Sequence, residues 1–364
     1  MAQLPTKAST PVITGIFSIL LRFITSTSVI NFNAIFCFHV TTGLRPSSLV
    51  AQPLSPAFRR HSIGYAAKGM NSKVIVFGGG GQLGVELCRE FERRHWTVVR
   101  FDRQAVDITD TQKVEEAVSN TDPKVVVNAA AYNQVDIAEK EPLTAYQTNA
   151  LAVRNLAMAC RQTDARLVHY STDYVFDGMK GSPYLETDHT HPLGAYAVSK
   201  LAGELYAQAY LADPLIIRTS GVFGPGGMFT PRGNFVEVML RMAKANHPIR
   251  VVHDHVASPT YAPAMASRTV DMLEGNMQGV YHLGGGEAIS WYDYAKLIFE
   301  VAGISPALQA TDEREYRTPA RRPKFSALSN GKLEAAGIAP MPKFRDAVRD
   351  YLEARNHAIA HRSS

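Results

Sequence analysis

The chain has 364 residues, 46% of them hydrophobic and 20% charged, enough for one large α/β unit with a subdomain or for two domains. Three cysteines, Cys37, Cys88 and Cys160, are too few and too scattered for a disulfide framework or a metal cluster, so a reducing compartment is the default. The net charge of +5 sits at one end: residues 1–69 hold six basic residues and no Asp or Glu, leaving −1 on the other 295. A near-neutral body gives no reason to expect nucleic-acid binding.

The basic leader is rich in Ser, Thr and apolar residues. Those are transit-peptide traits, and an over-extended reading frame with translation starting at Met70 explains them equally well. The apolar stretch 23–40 is interrupted by Asn31, Asn33 and His39, which argues against a membrane span. The expected location is cytoplasmic, or organellar if the leader is a true transit peptide.

From Lys73 onward, apolar strand-like runs alternate with helix-period segments. Lys73–Phe77 leads into an amphipathic Gln82–Arg94, then Thr97–Phe101, a polar helix Thr111–Ser119, and Lys124–Asn128. A long helix Leu143–Thr163 follows, then the strand Arg166–Tyr170, the helix Gly194–Ala212 and the strand Leu215–Arg218. Continuously apolar strands separated by helices predict a parallel sheet covered on both faces. Right-handed crossovers make it a doubly wound (Rossmann) α/β sheet whose ligand crevice lies at the strands' C-terminal ends.

Beyond Thr219 the pattern loosens. Helix-like Phe235–Ala245 and Trp291–Ala302, strand-like Ile249–His253 and Val280–Leu283, and a Pro/Arg-rich loop Arg314–Pro323 predict a smaller C-terminal substrate-binding subdomain. The expected division is a leader over 1–69, a dinucleotide-binding domain over 70–219, a mainly substrate-binding part over 220–354, and a tail over 355–364.

Four glycines follow the first strand directly, in Gly78-Gly79-Gly80-Gly81-Gln82-Leu83-Gly84. The run reads either as Gly78-x-x-Gly81-x-x-Gly84 or as Gly79-x-Gly81-x-x-Gly84. Both readings put Gly81 close to a pyrophosphate and Gly84 against the sheet, with the N-terminus of the next helix facing the negative charge. Gln82 and Leu83 fall in that first turn.

Asp102, 18 residues past Gly84, is placed to bond an adenosine ribose hydroxyl, and its neighbour Arg103 to accept a 2′-phosphate. Side by side they leave NADH and NADPH both open. Asp107 and Ile108 fit beside an adenine. Ala129, Ala130 and Ala131 after the third strand let backbone approach the cofactor.

Tyr196-x-x-x-Lys200 lies 24 residues after Thr172. Tyr292-x-x-x-Lys296 matches the same pattern but reads as surface chemistry on an unrelated helix. Tyr196 opens a helix at the crevice side, and one turn puts Lys200 beside it. A phenol needs its pKa lowered by about 4 kcal/mol to act near neutrality. A cation ~5 Å away at an effective dielectric of ~20 supplies about 3 kcal/mol, and the helix N-terminus adds roughly 0.3–1 kcal/mol. Thr172 would hydrogen-bond a substrate carbonyl while a nicotinamide delivers hydride.

Residues 70 to about 350 resemble extended short-chain dehydrogenases/reductases, and within them the dTDP-4-dehydrorhamnose reductase family. The matching text is Gly81-Gln82-Leu83-Gly84, Val106-Asp107-Ile108-Thr109-Asp110, NAAAY at 128–132 with Val135, Asp136, Ala138 and Glu139, STDYVFDG at 171–178, and Glu186-Thr187-Asp188. YAVSKLAGE at 196–204, Arg218-Thr219-Ser220, Pro259-Thr260, and Arg322-Pro323 with Ser326, Leu328 and Lys332 complete it.

The resemblance implies NAD(P)H-dependent reduction at C4 of a dTDP-linked 4-keto-6-deoxyhexose. Thr172, Tyr196 and Lys200 take the catalytic roles, with Asp173, Asn133, Val135 and Gly221 near the sugar. Some members bind Mg²⁺ at a dimer interface, which leaves a homodimer and Mg²⁺ as options here, although no ligand cluster in the sequence requires the metal. Two departures touch the sugar side. Many relatives carry a bulky aromatic where this chain has Gly221, and the loop Gly224–Gly233 is longer. A nucleotide-sugar epimerase, or a non-catalytic subunit resembling the β-subunit of methionine adenosyltransferase, remain as alternatives. A dehydratase is disfavoured because Asp173 is followed by Tyr174 rather than by an acid.

Overall fold

Val74 to Phe77 are completely buried, which places Lys73–Phe77 (β1) inside the sheet rather than at its edge. The structure is a computed structural model that describes residues 72–363 apart from 229, 231 and 232. The predicted leader, including the apolar stretch 23–40, lies outside the described residues. Among the described residues no helix is long and apolar enough to cross a membrane.

After β1 come Gln82–Arg93 (α1), Thr97–Phe101 (β2), Thr111–Thr121 (α2), Val125–Asn128 (β3), Val135–Ala138 (α3) and Pro142–Tyr146 (α4). Next are Ala152–Thr163 (α5), Arg166–Thr172 (β4), Ala195–Tyr210 (α6) and Leu215–Thr219 (β5). The remainder comprises Phe235–Lys244 (α7), Ile249–Val252 (β6), Val256–Ala257 (β7), Ala262–Glu274 (α8), Gly279–His282 (β8), Ile289–Ser290 (β9), Trp291–Ala302 (α9), Leu308–Thr311 (β10), Gly331–Ala335 (α10) and Phe344–Ser363 (α11).

The main sheet has six strands in the order β2-β1-β3-β4-β5-β8, all parallel. Alternate residues of each strand feed opposite faces. Val74, Val76, Val125 and Val127 pack with Leu87 and Phe91 of α1 and Met265 of α8. Ile75, Phe77 and Val126 pack with Val114 of α2 and Leu156 of α5. Each such side chain contributes roughly 1.5–3 kcal/mol by leaving water, so the doubly wound α/β class is the arrangement that buries both faces. Strand order reverses at β1/β3, and that is where the crevice opens.

The residues after 220 build a further core of Phe223, Val236, Tyr294, Ile298, Val348 and Tyr351. The same stretch also returns β8 to the main sheet.

Two predicted boundaries shift for physical reasons. β4 runs on through Ser171 and Thr172 because both pair with β5, opposite Arg218 and Thr219. The helix expected as one piece over 143–163 carries a π turn at Gln147–Leu151. There Asn149 turns inward, accepts the Tyr132 N–H at 2.9 Å, and donates to the Tyr132 carbonyl and to Ser199 Oγ. A single π turn at such an inserted side chain is a common device near functional sites.

Candidate active site

The glycine turn joins β1 to α1 by contacts that exclude side chains. Gly78 has φ +76°, and a Cβ there would lie 2.6 Å from the Ala130 nitrogen. A Cβ on Gly84 would lie 2.1 Å from the Gly78 carbonyl oxygen. These two glycines let α1, the first strand and the end of β3 approach one another. A Cβ on Gly79 would press on Arg100, whereas one on Gly81 would meet only the Gly78 oxygen at 3.2 Å.

Gly81 caps α1 with extended backbone and no side-chain hydrogen bond, and the first turn holds no acid. A helix start of this kind suits an anion, so the residues present fit a dinucleotide pyrophosphate. Ala129 and Ala130 are half-buried beside Gly78, and Ala131 is exposed. Asn128 shapes that turn, its Oδ1 accepting the Ala130 N–H at 3.2 Å.

Two first-turn residues use their side chains differently from the expectation. Gln82 donates to the Val222 carbonyl at 2.7 Å and accepts from Asn234 at 3.0 Å. Its side chain therefore holds the segment after β5. Glu86 supports the same join, accepting the Gly226 N–H at 2.8 Å. Leu83 packs into the core, which leaves only its backbone for a ligand.

At the end of β2, Asp102 is exposed beside Gly80. One of its oxygens accepts the Gln104 and Ala105 N–H groups. Arg103 is 81% exposed and pairs with Asp107 at 3.3 Å. Ile108 is buried and its carbonyl accepts from Asn155.

Thr172, Tyr196 and Lys200 come together at the end of β4 and the start of α6. The Thr172 hydroxyl lies close to the Tyr196 hydroxyl and accepts the Tyr174 N–H at 3.2 Å. The rings of Tyr174 and Tyr196 meet edge to face with centroids 6.1 Å apart. Lys200 is buried, and its Nζ donates to the Tyr170 carbonyl at 2.5 Å.

Burial pushes the Tyr196 phenol up to about 12; the Thr172 hydrogen bond opposes this and the Asp173 carboxylate adds to it. Burial likewise brings Lys200 down to about 8, with Glu204 acting in the other direction. The expected ammonium-driven lowering of the tyrosine is therefore not what sets it in this state. Desolvation dominates, and Tyr196 is held as a proton-bearing acid.

A shallow cleft beside Tyr196 is lined by Val135, Tyr174, Gly194, Ala320, Arg321 and Pro323, among others. Val135 is thus part of the cleft lining, whereas Asn133 is exposed and outside it. Asp173 departs further from expectation. It is buried, and its carboxylate accepts from Ser220 at 2.8 Å, Ser326 at 2.5 Å and Thr172 at 3.2 Å. Instead of offering itself to a substrate, it ties β4, β5 and the 323–328 segment together behind the cleft.

Burial raises Asp173 from 3.8 to about 6, with the Ser326, Ser220 and Thr172 hydroxyls limiting the rise. The folded state therefore prefers the protonated acid. Stability from this group is complete below about pH 3.8 and is lost as pH climbs through about 6. Asp173→Asn is expected to flatten that part of the stability profile, measured as denaturant midpoints at pH 4 and pH 7. Equal slopes in variant and parent would refute it.

Gly221 has φ +46°, and a Cβ there would lie 3.0 Å from the Trp291 ring and 3.3 Å from Pro259. The indole of Trp291, at the start of α9, fills the space that a side chain at position 221 would need. Gly221 is thus a packing requirement, and the aromatic surface next to it comes from 70 positions later in the chain.

Tyr292 and Lys296 lie on α9, half-buried and exposed respectively. Asp254, His255 and Glu313 bring candidate metal-ligand atoms within 4.8 Å of one another. The Lys324 ammonium bridges the two carboxylates at 3.3 and 3.1 Å, so a cation of the chain's own already neutralises them.

Sequence reasoning passed over two supports of the site. Glu139 accepts the Ala195 N–H at 2.8 Å and so caps α6 one residue before Tyr196. Glu204, one turn beyond Lys200, is buried in a two-pronged pair with Arg218 at 2.8–3.2 Å and accepts from Ser171. Both acids stand in the motif text, but nothing local reveals partners so far away in the chain.

The RmlD substrate binding domain family matches residues 72–356. The chain belongs to the dTDP-4-dehydrorhamnose reductase family. It is 38% identical over 294 residues to dTDP-4-dehydrorhamnose reductase of Escherichia coli strain K12, covering 77% of this chain and 96% of that one. It is also 38% identical over 287 residues to the spore coat polysaccharide biosynthesis protein SpsK of Bacillus subtilis strain 168, covering 79% and 99%. The crystal structure of dTDP-4-dehydrorhamnose reductase from Bacillus anthracis in complex with NADP is similar, with a TM-score of 0.74 and 33% identity, covering 78% of this chain and 99% of that one. Membership of this reductase family makes the protein an NAD(P)H-dependent oxidoreductase acting on nucleotide-sugars.

Proposed function

We propose that this enzyme reduces the C4 ketone of dTDP-4-dehydro-6-deoxy-L-mannose to give dTDP-L-rhamnose. The observation that carries the reading is Tyr196 at the start of α6, its ring against Tyr174 two residues past Thr172, with Lys200 buried one helical turn along on the Tyr170 carbonyl. The relatives' names supply the substrate class. Bound NAD(P)H supplies the hydride.

The chain's own residues do the rest. The backbone of Gly81–Gly84 and the start of α1 hold the pyrophosphate, with Gly78 and Ala129–Ala131 alongside. Asp102, Arg103, Asp107 and Ile108 face the adenosine end. Thr172, turning its one O–H proton from Asp173 to the ketone oxygen, polarises it. Tyr196 gives its proton to that oxygen as the alkoxide forms, a step for which a phenol that stays protonated at neutral pH is in the required state. Lys200, anchored on the Tyr170 carbonyl, takes up the charge change at Tyr196 and holds the nicotinamide ribose.

The test is NAD(P)H consumption, followed at 340 nm, with dTDP-4-dehydro-6-deoxy-L-mannose. Stoichiometric formation of dTDP-L-rhamnose is expected. Unchanged absorbance with both cofactors across pH would sink the reading in favour of another sugar or a binding role.

A further inference from the structure

Two carboxylates three residues apart reach in different directions from α3. Glu139 caps α6, and Asp136 grips the segment 318–323, more than 180 positions away. The Arg322 Nη2 donates to Asp136 Oδ2 at 2.8 Å and its Nη1 to Oδ1 at 3.1 Å. Nη1 also reaches Thr318 Oγ1 at 2.5 Å and the Ala320 carbonyl at 3.2 Å. The Ala320 N–H donates to Asp136 Oδ1 at 3.2 Å, and the guanidinium lies close to the Tyr174 hydroxyl.

One guanidinium thus joins both walls of the cleft, α3 with Val135 on one side and Ala320, Arg321 and Pro323 on the other. It also lies beside Tyr174, the ring that packs on Tyr196. Resting on the reading that this cleft takes the sugar, we propose that Asp136 and Arg322 form a clasp that closes the 318–323 strap over the cleft and positions Tyr174 against Tyr196.

The clasp is a positioning device with a separable signature. Asp136 is 39% and Arg322 23% exposed, and breaking so accessible a pair costs little global stability. Misplacing a cleft wall by about 1 Å, in contrast, lowers kcat/KM on the order of 10²-fold. Lysine cannot reproduce the forked, multi-partner geometry.

The experiment compares wild type, Asp136→Asn, Arg322→Lys and the exchanged pair Asp136→Arg/Arg322→Asp. Steady-state kinetics with the nucleotide-sugar are read beside NADPH affinity and hydrogen exchange over residues 312–325 without substrate. The single variants are expected to raise KM at least tenfold and more than they lower kcat, with NADPH affinity within about twofold and faster exchange at Ala320. The exchanged pair is expected to recover part of the KM loss. Wild-type KM and exchange in the single variants overturn the proposal, as does a parallel loss of kcat, KM and NADPH affinity. If wild type turns over no nucleotide-sugar, the functional reading fails by itself, and the exchange measurement still decides whether the clasp holds the strap.

Discussion

Tyr196→Phe is expected to lower turnover by about 10²–10⁴-fold, the usual contribution of a positioned acid–base group, while NAD(P)H affinity stays close to that of the parent. The substitution removes one oxygen and keeps the ring that packs edge to face on Tyr174. Thr172 keeps its hold on the Tyr174 N–H, so the ketone is still polarised and residual hydride transfer persists. Single-turnover measurements of cofactor oxidation separate the chemical step from binding. Normal turnover in the phenylalanine variant would remove Tyr196 from the proton path.

A phenol pushed up to about 12 also makes a statement about direction. Such a group gives its proton only to a base stronger than a neutral ketone. The transfer therefore follows or accompanies hydride addition, when the oxygen becomes an alkoxide.

The second large effect is on stability. Arg218→Met is expected to destabilise the fold by about 3–5 kcal/mol, because it strands the buried Glu204 carboxylate without its cation. Arg218 and Glu204 are 6% and 2% exposed, and the guanidinium also lies over the Phe176 ring with its carbon 5.3 Å from the centroid. Replacing both partners, as Arg218→Met with Glu204→Leu, is expected to restore most of the loss, since two apolar side chains carry no desolvation penalty. Urea midpoints of the single and double variants check this. A double variant as unstable as the single one would mean that the pair itself, and not the orphaned charge, supplies the stability. Glu204 lies one helical turn from Lys200 and favours its charged form, so the same buried pair also sets the electrostatics behind the site.

Features carried by short-range spacing were legible in the sequence. The glycine turn follows from a strand, four small residues and a helix within about a dozen positions. Tyr196 and Lys200 lie one turn apart on the same helix, α6. The sheet follows from apolar runs that leave no polar face.

Partners far apart in the chain were not legible. Asp173 reads as a substrate residue until Ser220 and Ser326, 47 and 153 positions away, close around it. Gln82 reads as part of a phosphate loop until Val222 and Asn234 engage its amide. Gly221 reads as an open wall until Trp291 fills it. In each case the side chain has two chemically reasonable uses, and only the approach of a distant segment decides between them.

The division of labour has a physical basis. Residue order by itself determined the layered α/β class, the glycine turn between β1 and α1 and the place of Tyr196 and Lys200 on one helix, because hydrophobic periodicity and helical geometry are local. The folded arrangement alone decided the burial that pushes the Tyr196 phenol up, and the pairing of Asp136 with Arg322, whose attraction acts only after the chain has brought them within hydrogen-bonding distance.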